Sequence, residues 1–298
     1  MRAPHGGSSV EPNLTSLADI RRLLAALGVR PNRVLGQNFL VDRNILGILI
    51  DLAELSRDDG VLEIGAGLGV LTEQLVRRAG RVVTVEKDRA LASYLAERFK
   101  SAAGLTLMGR DALELNLGAL LADGLNKVVA NLPYSVGTRI LVDLMRAAAR
   151  PALLVVTVQK EVAARMAAQP GGRDHGLLSI WTQMDYEIEI PKTISRTCFW
   201  PPPDIESAIV RCVRRMRPFV EEDLRSDFYD VTRQVYMHRR KQMASLLRTL
   251  PAPRGMPRQE AEPMLESCGI APTARPETLT LAQWRSLVAA MHARSQPA

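Results

Sequence analysis

Through the middle of the chain, short apolar runs rich in β-branched residues alternate with stretches of helical periodicity, the signature of a parallel sheet with crossover helices. Gly60 to Ile64, Arg81 to Val85, Leu105 to Met108, Lys127 to Ala130 and Ala152 to Val158 read as strands. Helices are predicted between them, around Leu71 to Ala79, Arg89 to Phe99 and Thr138 to Ala149, with another near Gly176 to Met184. Tyr186 to Ile190 and Ser207 to Val213 then read as two strands separated by Pro201-Pro202-Pro203, forming a long-looped antiparallel pair at the sheet edge. Doubly wound folds tolerate such an edge.

The two ends of the chain read differently. Residues 1 to 14 carry Gly6-Gly7-Ser8-Ser9 and two prolines without apolar periodicity, so a mobile tail is expected there. From Ser16 a helix follows, with Leu17, Ile20, Leu23, Leu24 and Leu27 on one face, Ser16 and Asp19 as a capping box, and Gly28 and Pro31 as its stop. Beyond about residue 217 the strand pattern ceases, and Leu224, Phe228, Val231 and Val235, then Leu281, Trp284, Leu287 and Val288, take helical spacing. Pro251, Pro253, Pro257 and Pro263 mark an irregular loop from Thr249 to Pro263. The predicted fold is therefore α/β, a doubly wound Rossmann-like sheet with an antiparallel edge strand over residues 15–216, followed by a small all-α domain over 217–298.

With 298 residues and 47% apolar content, the chain can bury a full core. No apolar run reaches membrane-spanning length and the first twenty residues lack an export signal, so no membrane association is expected and the cytoplasm is the expected location. Cys198, Cys212 and Cys268 are an odd number without close pairing, which suggests neither a disulfide framework nor a metal cluster. A net charge of +7 favours a polyanionic partner, since Lys and Arg that neutralise phosphates release counterions. Nothing suggests an obligate interface, and a monomer is expected.

Glu63-Ile64-Gly65-Ala66-Gly67-Leu68-Gly69 follows the first strand of the alternating region and precedes a helix. Glycines there let the backbone approach a ligand closely, while the helix start offers free N–H groups. The dinucleotide fingerprint places its third glycine three residues after the second, whereas Gly69 comes two after Gly67. That closer spacing, with Glu63 ahead of it, is the pattern of nucleoside-binding methyltransferases. Glu86 ends the second strand 21 residues after Gly65, where a carboxylate can accept both ribose hydroxyls of an adenosine ligand, a ribose shared by a methyl donor and a nicotinamide cofactor. Asp111, after the third strand, is placed to accept from that ligand's adenine amine.

Asn131-Leu132-Pro133-Tyr134 ends the fourth strand, and open parallel sheets gather ligands at the carboxyl ends of their strands. The exocyclic amine of adenine is a poor nucleophile because its lone pair is delocalised into the ring. The Asn131 side-chain oxygen and the Leu132 carbonyl can each accept one N–H bond, which favours a pyramidal nitrogen. Pro133 removes a competing donor, and Tyr134 can stack on an unstacked base.

With these residues in view, the chain resembles the ribosomal RNA adenine dimethyltransferases, most closely the bacterial small-subunit branch. The resemblance runs from about Leu35 to Trp284 and rests on Leu35-Gly36-Gln37-Asn38-Phe39-Leu40, Glu63 to Gly67, Asn131 to Tyr134, Gln159-Lys160-Glu161-Val162 and Phe199 to Ser207. It implies a class I methyltransferase sheet and S-adenosylmethionine as methyl donor, contacted by Asn38, Leu40, Gly65, Glu86, Asp111 and Asn131, with no metal. Phe199 would be a second aromatic wall for the target base, opposite Tyr134. The implied substrate is a pair of adjacent adenosines in the 3′-terminal hairpin of small-subunit (16S) rRNA, dimethylated at N6 on the assembling 30S particle during ribosome biogenesis.

A sister family methylates a large-subunit rRNA adenine and confers macrolide resistance. His238-Arg239-Arg240-Lys241 and Gly269-Ile270 with Arg275-Pro276-Glu277 favour the small-subunit branch. Arg239, Arg240 and Lys241 are the expected grip on rRNA phosphates. Ser135-Val136 stands where that family often has Asn-Ile, and the 249–263 loop is longer and richer in proline than usual. Two other readings are a catalytically silent RNA-binding assembly factor, against which intact Glu86, Asn131 and Tyr134 argue, and a nicotinamide oxidoreductase.

Overall fold

The computed structural model describes residues 12–31, 36–251 and 254–295. The first eleven residues of the expected tail, and Leu35 and Pro253, lie outside this set. Helix α1 (Leu17–Ala26) leads into strand β1 (Phe39–Leu40), helix α2 (Arg43–Leu52) and the central sheet. There β2 (Gly60–Ile64), α3 (Val70–Arg78), β3 (Arg81–Val85), α4 (Arg89–Arg98) and β4 (Leu105–Met108) alternate strictly. They continue as α5 (Leu117–Ala122), β5 (Lys127–Asn131), α6 (Gly137–Arg146), β6 (Leu153–Gln159), α7 (Lys160–Ala167) and α8 (Leu177–Gln183). Strands β7 (Tyr186–Ile194), β8 (Phe199–Trp200) and β9 (Ser207–Arg214) follow, then helices α9 (Arg225–Tyr236), α10 (Met243–Thr249), α11 (Arg258–Ser267) and α12 (Leu281–Ser295).

Seven strands form one sheet in the order β4-β3-β2-β5-β6-β9-β7. The first five are parallel, whereas β9 runs antiparallel to both β6 and β7. Neighbouring residues of a strand point to opposite faces, so Val61 and Leu62, both fully buried, enter different cores. Val61 packs with α2 and α3 through Leu49 and Leu75, while Leu62 packs with α6 through Ile140 and Leu144. Strand order reverses between β2 and β5, and the carboxyl ends of these two strands open the crevice in which such sheets hold ligands.

Four local expectations need correction. Leu14, assigned to the tail, is buried against α1; Asn13 and Thr15 beside it are held by the Arg43 side chain. Pro191 looked like the end of a strand, yet β7 runs on to Ile194 with a bulge between Glu189 and Lys192. On an edge strand the missing proline N–H costs no ladder bond. The proline-rich stretch is a loop only as far as Pro257, which caps α11, and Pro263 lies inside that helix. A proline is cheap at a helix start, where the first N–H groups lack partners; Pro263 instead follows an amphipathic pattern whose Ala261 and Leu265 are buried. The Ser16 cap is half a capping box: its hydroxyl accepts from the Asp19 N–H, while the Asp19 carboxylate accepts from the Asn13 N–H.

The C-terminal helices enclose a separate core around Phe228, Trp284 and Leu287, which also takes in Ile180 of α8 and Met184 just after it. Buried Arg225 of α9 makes a paired contact with buried Asp185, 2.8 Å at one of its two bonds. Trp181 donates to Thr232, and His175, in the loop before α8, bonds the Glu277 carbonyl. The helical part is thus fastened to the sheet part by packed and bonded side chains. Among the described residues, no helix is long and apolar enough to cross a membrane.

Candidate active site

Four strand ends supply the site. Gly65 follows β2, Glu86 follows β3, Asp111 lies beyond β4 and Asn131 closes β5. These residues and the 36–40 segment line one open cleft of about 1190 Å³, a figure that includes the solvent space at its mouth. Asn38, Leu40, Gly65, Glu86, Asp111, Asn131, Leu132, Pro133 and Tyr134, all singled out in the sequence, share its walls. Phe199 is not on the wall, and Arg239, Arg240 and Lys241 lie elsewhere, exposed on the turn between α9 and α10.

The glycine loop is shaped by positive backbone angles. Gly65, Gly67 and Gly69 have φ of +82°, +58° and +80°, a region L side chains avoid. A Cβ on Gly67 would stand 3.0 Å from the Phe39 ring, so any other residue there would press that ring out of place. The Gly67 N–H donates to one oxygen of Glu86 and the Asp88 N–H to the other, each at 2.8 Å. Burial pushes the Glu86 carboxyl above the ordinary carboxylate value, with these two N–H bonds pulling the other way. Each oxygen keeps a further lone pair for a ligand hydroxyl. Asp111 accepts from the Leu113 N–H and pairs with Lys87 at 2.7 Å, and the Lys87 ammonium holds its carboxyl below the usual range.

Beneath the loop, Glu63 is fully buried, and its Oε2 accepts from Thr72 at 2.7 Å and from Thr84 at 2.8 Å. Burial drives this carboxyl up to about 7 despite both hydroxyls. A buried carboxylate on the strand before the loop ties α3 to β3 and so fixes the loop between them.

At the other wall, the amide of Asn131 is held at both ends. Its Nδ2 donates to the Asn38 carbonyl at 3.0 Å, and its Oδ1 accepts from the Thr157 hydroxyl. The Leu132 side chain is buried in the core while its N–H reaches the Thr157 carbonyl at 3.3 Å. The Pro133 carbonyl accepts from Val136 and Gly137, which turns the chain into α6. Tyr134 bonds through its hydroxyl to Ser207, and burial raises its phenol above the ordinary value. Gly36, at φ +67°, brings its backbone so close that a Cβ would lie 3.0 Å from the Tyr134 nitrogen.

Phe199 reaches the site from the second, two-stranded sheet, in which β8 pairs with β1: Leu40 faces Phe199 and Phe39 faces Trp200. Its ring meets Tyr134 edge-to-face, 6.4 Å between centroids, and is only 2% exposed. It backs the Tyr134 ring rather than facing it across an open slot, because pairing with Leu40 turns the Phe199 side chain into the core beside Leu40.

Thr157, Ser207 and Lys87 were not picked out from the sequence. Thr157 was legible in retrospect as the one hydroxyl in the apolar run Leu153 to Val158. Ser207 and Lys87 gave no such signal, since their roles depend on which strands neighbour one another.

Across residues 28–292 the chain matches the family model described as ribosomal RNA adenine dimethylase. The chain belongs to the ribosomal RNA adenine dimethylase family. Curated relatives are named ribosomal RNA small subunit methyltransferase A. That of Geobacillus kaustophilus is 40% identical over 273 residues, 90% of this chain and 93% of the relative. That of Dehalococcoides mccartyi is 35% identical over 272 residues, 91% and 92% of the two chains. Among solved structures, a dimethyladenosine transferase from Plasmodium falciparum superposes with a TM-score of 0.73 at 21% identity, covering 85% of this chain and 97% of its own, which establishes the shared fold. The 23S rRNA methyltransferase ErmE gives a TM-score of 0.64 at 26% identity, covering 86% and 100%. The identity to the small-subunit relatives, 35–40%, thus exceeds the 26% to the 23S rRNA methyltransferase.

Proposed function

We propose that this chain is the S-adenosylmethionine-dependent enzyme that dimethylates N6 of two adjacent adenosines in the 3′-terminal hairpin of small-subunit rRNA, acting in the cytoplasm on the assembling 30S particle. Family membership and the 35–40% identity to small-subunit methyltransferases support the substrate. One observation carries the chemistry: a clamped asparagine amide closes β5 in the same cleft as a buried acceptor carboxylate, with an aromatic ring three residues on.

The residues suit the methyl donor. Glycine at 65 and 67 lets the loop close against Pro133 and Phe39 and so shapes the cleft wall, and Glu86 offers two fixed oxygens to a ribose. Asp111 can accept from the donor's adenine amine, and Asn38 and Leu40 close the wall beside it. When bound, S-adenosylmethionine supplies a methyl group activated by its sulfonium.

The chain's own part is alignment and acceptance of hydrogen bonds. Asn131 Oδ1 and the Leu132 carbonyl take the two amine hydrogens of adenine, localising the nitrogen lone pair and stabilising the positive charge that develops on it. Tyr134 stacks on the base, and Phe199, edge-on beneath it, sets the pitch of that face. No strong base is needed, because the amine becomes acidic only as its new N–C bond forms, and its proton then leaves to water. Positioning therefore accounts for most of the rate. Arg239, Arg240 and Lys241 hold rRNA phosphates.

The test supplies labelled methyl donor to small subunits lacking the hairpin modification and maps the labelled nucleotides. Label on the two hairpin adenosines is expected; label in large-subunit RNA alone overturns the substrate assignment. Asn131→Ala is expected to abolish transfer while RNA binding survives, and near-normal turnover by it overturns the mechanism.

A further inference from the structure

Strand β6 is buried at six of its seven residues; five of the six are apolar, and the sixth is Thr157, a hydroxyl completely excluded from solvent. Valine has the same shape, pairs as well in a strand, and carries no polar atom to desolvate. The fold alone therefore gives no reason for a hydroxyl at this place. The side chain directly across the β5–β6 ladder is Asn131, whose Oδ1 accepts the Thr157 hydrogen bond. We infer that Thr157 is a positioning residue for methyl transfer, aiming the Asn131 amide oxygen at the substrate amine. This rests on the role given above to Asn131.

The terminal torsion of an asparagine is broad, so one hydrogen bond leaves its amide plane free to swing. Asn131 has two anchors of different kinds. The Asn38 carbonyl can only accept, which obliges the amide nitrogen to face it at 3.0 Å. The opposite end is then the oxygen, and the Thr157 hydroxyl donates to it, fixing the plane. One lone pair of Oδ1 is used by Thr157, and the other remains for the adenine N–H. The backbone acts in concert: the Thr157 carbonyl takes the Leu132 N–H, so one residue of β6 steadies both acceptors offered to the substrate.

The experiment measures single-turnover methyl transfer to unmodified small subunits at saturating donor, with donor affinity by calorimetry and thermal midpoint alongside. Thr157→Val keeps the buried volume and is expected to lower the transfer rate about tenfold, the worth of one net hydrogen bond. Donor affinity and the KM for subunits should stay within about twofold of the parent, since only the transition-state geometry is relaxed. Thr157→Ser, which keeps the donor, should recover most of the rate. An unchanged rate in Thr157→Val, an equal loss in both variants, or a fall in donor affinity matching the fall in rate overturns the inference. Asn131→Ala separates the two ideas: if that variant is dead while Thr157→Val is normal, only the positioning role fails. If Asn131→Ala turns over normally, the reading beneath it fails.

Discussion

A Cβ on Gly65 would lie 3.3 Å from both Cγ and Cδ of the Pro133 ring, so the glycine loop and the Asn131–Tyr134 segment are in contact across the cleft floor. The Gly65 backbone sits at φ +82°, which strains any other residue. Gly65→Ala therefore has two costs. It should lose about 1–3 kcal/mol of stability through strain. By displacing Pro133 it should also weaken donor binding, by about tenfold or more for each 1.4 kcal/mol of misfit. Calorimetric titration with S-adenosylmethionine and with its demethylated product checks this, and parental affinity would show that the contact does not set the cradle.

Glu63 gives a pH signature. Its folded value is about 7 against an ordinary 4.5 for the unfolded chain, so between those values the folded state holds a proton that the unfolded state has released. Stability must then fall as pH rises through that window, with no penalty below it and the full penalty above. Glu63→Gln, which can still accept from Thr72 and Thr84, removes the titration. Denaturant midpoints at about pH 5 and about pH 8 should show the variant gaining on the parent at the higher pH; a constant difference would contradict the burial argument.

The exposed turn after α9 should act through charge alone. Replacing Arg239, Arg240 and Lys241 by glutamine is expected to weaken rRNA binding and to lower the slope of log affinity against log salt by about three. Donor affinity should be unaffected, because the turn lies outside the cleft. An unchanged salt slope would place the phosphate grip elsewhere.

Tyr134 and Phe199 should separate by what they damage. Tyr134→Ala is expected to cost about 1–3 kcal/mol in kcat/KM for RNA with little change in stability. Tyr134→Phe keeps the stacking face, losing only the bond to Ser207, and should retain most of the activity. Phe199→Ala opens a hole in a packed core and should lower stability by about 3–5 kcal/mol. Thermal melts beside steady-state kinetics distinguish the cases; equal effects on both quantities would mean that the rings form one stacking surface.

The five parallel strands were legible because each is a short apolar run bounded by a turn, and the gathering of Gly65, Glu86, Asp111 and Asn131 in one cleft was legible because residues at the carboxyl ends of parallel strands share one edge of the sheet. What sequence could not reveal depends on pairings between distant segments. Strands β1 and β8 have two residues each, too few for any periodicity, and Phe199 takes its edge-on attitude from that pairing. The partners of Asn131 and Tyr134 come from β6 and β9, whose adjacency is a property of strand order. The α11 start was missed because proline punctuates a sequence equally well before a helix and within a loop.

The pairing of Phe39 with Trp200 also has a bearing on how the protein is made. One edge of the cleft is specified near the beginning of the chain and its support some hundred and sixty positions later, after the whole parallel sheet has been synthesised. Contacts of such long span form late, because chain closure must precede them. A polypeptide still emerging from the ribosome, short of Phe199, has its glycine loop but no backing for Tyr134. The cleft wall at Tyr134 is therefore the last to be completed.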